Sequence, residues 1–303
     1  MKKYLLLFFI LVFSLFFYAC VSSAASAEEY YSIGMAYFEL GKYEEAEKWL
    51  NRARQANRTM IASTYNLGRL AYERQRYEEA ARHFESILRR DADNIHALKA
   101  AAYTRIMLGD IQTAEKHYSR LLSLVPESAD DGYNHALVLF AMERYIAAEE
   151  VLLRYPIALQ ENRDVMLLYA RCQAALNKVD AIEHFSNWLK IHTDPKVRYE
   201  YARVLEQHEF YARALEEYRQ ALSEIAANSI DPAKSDVRFA IARVLLIADG
   251  SSGEGITELQ GAISDGFNDI AAVERLSSRV SAANRETMRG IINNMRQSLE
   301  NNP

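Results

Sequence analysis

Residues 30–58, YYSIGMAYFELGKYEEAEKWLNRARQANR, read as two amphipathic helices joined by a tight turn at Leu40-Gly41-Lys42. The first helix places Tyr30, Ile33, Gly34 and Tyr37 on one face, and the second does the same with Tyr43, Ala46, Leu50 and Ala53. This is the i, i+3, i+4, i+7 spacing of a helix with one packed side. The pattern then returns at a step of 34 residues: Gly34 is followed by Gly68, Ala102, Ala136 and Ala170, and Ala46 by Ala80, Ala114 and Ala148. Tyr31, Tyr65, Lys99, Tyr133 and Leu167 keep the same step. A fixed period in this range predicts stacked helical pairs rather than one globular core. Small residues at Gly34 and Ala46 let the two backbones approach where the helices cross, and a larger side chain there would cost about 1–3 kcal/mol in overpacking.

Composition agrees with an all-helical array. Of 303 residues, half are apolar and a quarter charged, with only 11 glycines and 5 prolines. That balance excludes a disordered chain and a polytopic membrane protein. A net charge of -5 argues against a nucleic-acid binder, which would carry a basic stripe. The two cysteines, Cys20 and Cys172, support neither a disulfide framework nor a zinc site, since no CxxC or HExxH occurs. Seven scattered histidines show no ligand spacing and no nucleophile signature, so the chain reads as non-enzymatic and free of cofactors.

The chain opens with Met1-Lys2-Lys3 and a largely apolar run from Tyr4 to Tyr18, which is too short to span a bilayer as a helix and has the form of an export signal. Two cleavage readings stand. Ala19-Cys20 resembles the end of a bacterial lipoprotein signal, which makes Cys20 the lipidated N-terminus, although Phe17 and Tyr18 depart from the usual motif. Ala25-Ser26-Ala27 offers ordinary cleavage instead. Val21 follows the cysteine where an inner-membrane retention signal would place Asp, which directs a lipidated product to the outer membrane.

The repeat pattern resembles the tetratricopeptide repeat (TPR) family. That family favours an aromatic at position 4, Leu-Gly at 7 and 8, Tyr at 11 and 17, Ala at 20, an aromatic or Leu at 24, Ala at 27 and Pro at 32. Counted from Ala27, the first unit supplies Tyr30, Ile33-Gly34, Tyr37, Tyr43, Ala46, Leu50 and Ala53. Units from Ile61, Ile95 and Ala129 follow in register with Leu67-Gly68, Tyr77, Ala80, Phe84, Ala114, Tyr118, Pro126, Ala136, Tyr145, Ala148 and Leu152. In the fifth unit Ala181 comes one residue early, implying a shorter turn, and the sixth recovers with Tyr201-Ala202, Tyr211, Ala214, Tyr218 and Ala221. The expected fold is a right-handed α-solenoid of helix-turn-helix repeats with a C-terminal helical cap. Its parts are a signal at 1–19 (alternative cleavage after 27), a tether at 20–28, six repeats at 29–228, a linker loop at 229–235, and a divergent seventh pair with capping helices at 236–303. In the last helix, Ile291, Ile292 and Met295 form the inward stripe, with Arg289 and Arg296 in water. Glu44-Glu45 and Glu149-Glu150 are expected to open second helices, where negative charge suits the helix dipole.

The resemblance implies a concave groove lined by positions 2, 5, 9 and 12 of the first helices, with Asn66 and Asn134 beside it at position 6. Carried over residue by residue, the candidates are Tyr31, Met35 and Phe38; Tyr65, Asn66, Arg69 and Tyr72; Lys99 and Tyr103; Tyr133, Asn134 and Phe140; Arg171; Tyr199 and Arg203; and Phe239 and Arg243. Glu206 stands at position 12 of the sixth unit. The first four units offer an aromatic surface and the last three an arginine each, which suits a protein segment with apolar anchors and acidic groups. Chaperone-tail TPR modules use a set of Lys, Asn and Arg of which only Asn66 is present, so that function is not expected. What the resemblance implies is a protein-interaction scaffold of the bacterial cell envelope, facing the periplasm from the outer membrane through a lipid anchor and aiding assembly of an outer-membrane complex. The alternatives are a surface-exposed adhesin and an accessory to a periplasmic solute transporter. No nucleic-acid partner is expected.

Overall fold

The computed structural model describes residues 26–226, 229–249 and 252–301. The export signal, Cys20 and the start of the tether lie outside the described residues, as do Asn228, Gly250 and Ser251. The described chain is helical nearly throughout, and two compact units divide at Tyr155/Pro156.

The first unit contains α1 (residues 26–39), α2 (Tyr43–Ala56), α3 (Ile61–Glu73), α4 (Tyr77–Leu88), α5 (Ile95–Met107), α6 (Ile111–Leu124), α7 (Ala129–Ala141) and α8 (Tyr145–Leu152). From α2 onward each helix packs on the next. The small-residue reading holds at the crossings: a Cβ added to Gly34 would lie 2.9 Å from Leu50 Cγ, and one at Gly68 only 2.7 Å from Phe84 Cε1. Ala46, Ala80, Ala114 and Ala148 are fully buried beside Leu50, Phe84, Tyr118 and Leu152.

In the first six repeats the turn ends the first helix in the same way. The chain goes left-handed at Gly41, Gln75, Gly109, Glu143, Asn177 and Glu209, with φ between 54° and 73°. The next residue then donates back five positions, as in Lys42 N to Tyr37 O at 2.9 Å and Arg76 N to Ala71 O at 2.8 Å. These bonds satisfy carbonyls that the helix end would otherwise leave open. At the other end, Asn94, Ser128, Asn162 and Asp194 cap α5, α7, α10 and α12 through side-chain oxygens that accept from backbone N–H groups.

The second unit contains α9 (Pro156–Glu161), α10 (Arg163–Ala175), α11 (Ala181–Ile191), α12 (Pro195–Gln207), α13 (Tyr211–Glu224), α14 (Lys234–Val244) leading into a π turn (Leu245–Asp249), α15 (Ser252–Ser264), α16 (Ile270–Arg279) and α17 (Ala282–Asn301). Its core runs through Phe185, Trp188, Tyr201, Tyr218 and Ile241. A second cluster joins Leu246, Leu259, Val273 and Met288 to Ile291, Ile292 and Met295. The stripe of the final helix is therefore buried as expected. Arg289 and Arg296 are exposed, the latter 2.5 Å from Glu274.

Four expectations about the helices are corrected. The tether is shorter than 20–28, because residues 26–28 are helical and Ala27 is fully buried on the Tyr30–Gly34 face; a run of small residues forms helix readily once one side is covered. The linker loop ends at Ala233, since α14 already begins at Lys234. The fifth turn is longer, not shorter: α11 starts only at Ala181, and the missing residue is absorbed by tight bonds such as Ala181 N to Lys178 O. The second helix of the fourth unit is only eight residues, against 12–14 in the first three. Pro156, which has no N–H to continue a ladder, starts a separate short helix soon after it. Glu149 does not open that helix but lies beyond its first turn, at 8% exposure.

Candidate interaction face

In the first unit, the faces of α1, α3, α5 and α7 that carry the expected groove residues are tied together by polar bonds between successive repeats. Asn66 Nδ2 donates to Tyr31 Oη at 3.0 Å and to the Ala62 carbonyl, while its Oδ1 accepts from Arg69. Two repeats on, Asn134 Nδ2 donates to Tyr103 Oη at 2.8 Å. Lys99 Nζ sits 2.7 Å from Asp131 Oδ1 and bonds to it, which holds the ammonium pKa above its ordinary value despite partial desolvation. Arg69 lies over the Phe38 ring at 4.9 Å, a cation–π contact worth about 0.5–1 kcal/mol at an exposed site.

The aromatic side chains have their inner edges against the second helices. Phe38 packs on Tyr43, Tyr72 on Tyr77, Tyr103 on Tyr118 and Phe140 on Tyr145, with ring centroids 5.1–6.1 Å apart. Met35, Phe38, Tyr65, Tyr72, Tyr133 and Phe140 are half-buried, and Tyr103 is 37% exposed. Sequence reading underweighted Leu137 and Met107, which are 38% and 48% exposed. Met107 is one helical turn beyond Tyr103, a spacing that could have flagged it. The first unit thus presents rigid rings that are supported from behind and open on one edge.

The three arginines of the second unit are not equivalent. Arg171 grips Glu200 with two bonds of 2.8 and 2.9 Å. Arg243 grips Glu206 with bonds of 2.6 and 2.7 Å, and Glu206 also accepts from Tyr218 Oη at 2.7 Å. Burial works against the Arg243 charge, but the bonds to Glu206 outweigh it and raise the guanidinium pKa. Arg203 is exposed, with no ion pair among the described residues. Tyr199 is half-buried against Tyr218, with ring centroids 5.6 Å apart. Two candidates move to the interior. Phe239 is 6% exposed and stacks on Phe267 at 4.2 Å, because the cap packs over it. Asn66 is 5% exposed, its amide already committed to the bonds above.

His135 is buried and stacks on Tyr118, Cys172 is buried and in no disulfide, and no group of three or more metal-ligating side chains occurs among the described residues. No helix among them is long and apolar enough to cross a membrane.

Helix pairs repeating every 34 residues, with small residues at each crossing and a left-handed residue in each turn, define an α-solenoid repeat protein. Residues 26–130 carry tetratricopeptide repeats, and the fold is that of solved tetratricopeptide repeat proteins. Tetratricopeptide repeat profiles match residues 26–93 and 65–130, and a profile described as anaphase-promoting complex, cyclosome, subunit 3 matches residues 107–187. Over 153 residues, half of this chain and 77% of the relative, it is 29% identical to an uncharacterized lipoprotein of Treponema pallidum (strain Nichols). Among solved structures, a tetratricopeptide repeat protein from Parabacteroides merdae ATCC 43184 superimposes with a TM-score of 0.57 at 20% identity, covering 83% of this chain and 98% of that one. YrrB, a TPR protein with an unusual peptide-binding site, gives a TM-score of 0.52 at 15% identity, over 63% of this chain and 96% of its own. The fold supports a protein–protein interaction scaffold.

Proposed function

We propose that this chain is a lipid-anchored scaffold of the bacterial envelope that grips a segment of a partner protein along the first-helix face of its first unit. One observation carries the reading. The aromatic side chains from Phe38 to Phe140 are held by rings behind them and by inter-repeat bonds, so they form a preorganised surface that loses little side-chain entropy on binding. Aromatic side chains with apolar bodies and polar tips are the residues that most often dominate interface energies. The exposed Arg203 offers a separate contact for an acidic group, whereas Arg171 and Arg243 hold their own repeats together. The anchor reading rests on Cys20 at the end of the apolar run and on the kinship with a lipoprotein. Aiding the assembly of an outer-membrane complex is the role this placement suits.

Photo-crosslinking in cells tests the proposal. A benzophenone amino acid at Tyr103 or Leu137 should yield discrete protein adducts, while one at Arg120, an exposed residue paired with Asp93, should not. Equal adduct patterns at all three sites would reject the binding face. Intact mass of the same membrane preparation should show an acyl modification that disappears in Cys20→Ser.

A further inference from the structure

A cavity of about 430 Å³ opens between the first and second repeats, lined by Arg54, Arg58, Arg90, Thr64, Ser86 and Ile87 among others. None of the aromatic side chains described above lines it, and its origin is legible in the repeat. Position 4 is Tyr30 in the first unit and Leu98 in the third, but only Thr64 in the second. The shorter side chain leaves space above Ile87, which is 2% exposed.

Three guanidinium groups border this space, and no carboxylate lines it. Elsewhere Arg74, Arg76, Arg105, Arg120, Arg171 and Arg198 each meet a Glu or Asp, whereas these three converge on one space without one. Arg54, Arg58 and Arg90 have no ion pair among the described residues. Arg54 is braced by Asn51 Oδ1 at 2.8 Å, and Arg90 Nη1 reaches the Arg58 carbonyl at 3.3 Å, so two of the three are fixed on the rim by neutral acceptors. Ser86 donates to the His83 carbonyl at 2.7 Å, while the Thr64 hydroxyl has no partner among the described residues. A positively charged, partly enclosed space with a free hydroxyl donor fits a compact oxyanion.

We propose that this pocket binds a phosphate group, held by Arg54, Arg58 and Arg90 and by the Thr64 hydroxyl. Its placement favours a membrane phospholipid headgroup as the source. The contacts Phe38–Tyr43, Gly34–Leu50 and Tyr30–Trp49 run α1 and α2 antiparallel, which brings the Arg54 end of α2 beside residue 26, where the chain enters from the expected anchor. A headgroup phosphate in this pocket would hold the first repeat against the bilayer surface.

Isothermal titration of the full chain in a non-ionic detergent tests the site, with sodium phosphate and with glycerophosphoglycerol, the soluble headgroup of phosphatidylglycerol. The expected result is one saturable site per chain, weakened roughly tenfold or more in Arg58→Ala/Arg90→Ala and unchanged in Arg120→Ala. Thr64→Tyr, which fills the space with the residue type of the first repeat, should abolish binding without lowering the melting temperature. Tighter binding of the diester identifies a lipid headgroup, and binding of inorganic phosphate alone identifies a free phosphate or monoester. Absence of saturable heat from either probe, or wild-type affinity in the folded double variant, overturns the proposal.

Discussion

Position 4 shows how single residues decide this molecule. In the fourth repeat it is Gly132, and the space is taken by Tyr155, whose hydroxyl donates to the Pro126 carbonyl at 2.9 Å. A Cβ on Gly132 would meet Tyr155 Cε2 at 2.1 Å, far inside contact distance. Gly132→Ala should therefore destabilise the first unit by about 1–3 kcal/mol. The same substitution in a Tyr155→Ala background should cost much less, because the clashing ring is gone. Chemical denaturation of the four proteins of this cycle measures the coupling, and additive effects would show that the two residues do not share the space. In the sixth and seventh repeats position 4 is an arginine instead. Arg198, 8% exposed, bonds Glu217 at 2.8 Å and Glu224 at 3.1 Å, and Arg238 lies 3.2 Å from Asp265. A position that the family fills with an aromatic is thus filled here by Tyr30, an undersized threonine, Leu98, a glycine under a borrowed tyrosine, Met166, or an ion-paired arginine.

At the scale of the helix pair, the left-handed turn residue is the recurrent device. Gly41 and Gly109 adopt it without strain, whereas Gln75, Glu143 and Glu209 carry a Cβ there, at φ of 58°, 58° and 64°. The left-handed penalty of about 1–2 kcal/mol exceeds the roughly 0.5–1 kcal/mol entropic cost of glycine. Gln75→Gly, Glu143→Gly and Glu209→Gly should each stabilise their repeat, by up to about 1 kcal/mol. Hydrogen exchange resolved by repeat checks this: slower exchange should be confined to the altered pair and its neighbours, as expected of a chain whose stability is summed from local interfaces. The sequence announced this turn at Leu40-Gly41-Lys42. It could not announce that glutamate fills the same conformation elsewhere, because propensity is overridden once both helices are packed.

For the molecule as a whole, the division at Tyr155/Pro156 separates two chemistries. The first unit holds three histidines with lowered pKa values: His83 by burial and then Arg54, His117 by burial and then Arg105, and His135 by burial, against the Glu115 carboxylate 3.6 Å away. A histidine whose folded pKa lies below its unfolded value binds fewer protons when folded. Its contribution to stability is lost as pH falls below the unfolded value of about 6.5 toward the folded one. The first unit should therefore loosen before the second on acidification from pH 7.5 to 5.5. Exchange rates read separately for residues 26–155 and 156–301 check this, and His117→Gln should reduce the difference. Equal acid sensitivity of the two units would show that other groups dominate.

The helix pairs, their order and their crossing residues were readable from the chain alone, because a period of 34 with small residues at fixed places leaves few ways to bury the apolar faces. That most of the aromatic side chains of the candidate face share one side was readable for the same reason, since spacing along a helix fixes which residues do so. Tertiary structure decided which polar residues of that face are free. Arg243 and Glu206 lie on adjacent repeats, 37 positions apart in sequence, so one-dimensional reading saw a cation open to a ligand where packing had already supplied its carboxylate. It also decided how the fourth pair ends, with Tyr155 seated against Gly132 and Pro156 opening a short helix. And it brought three unpaired arginines from α2, the following turn and the end of α4 around one undersized threonine, an arrangement that no single repeat contains.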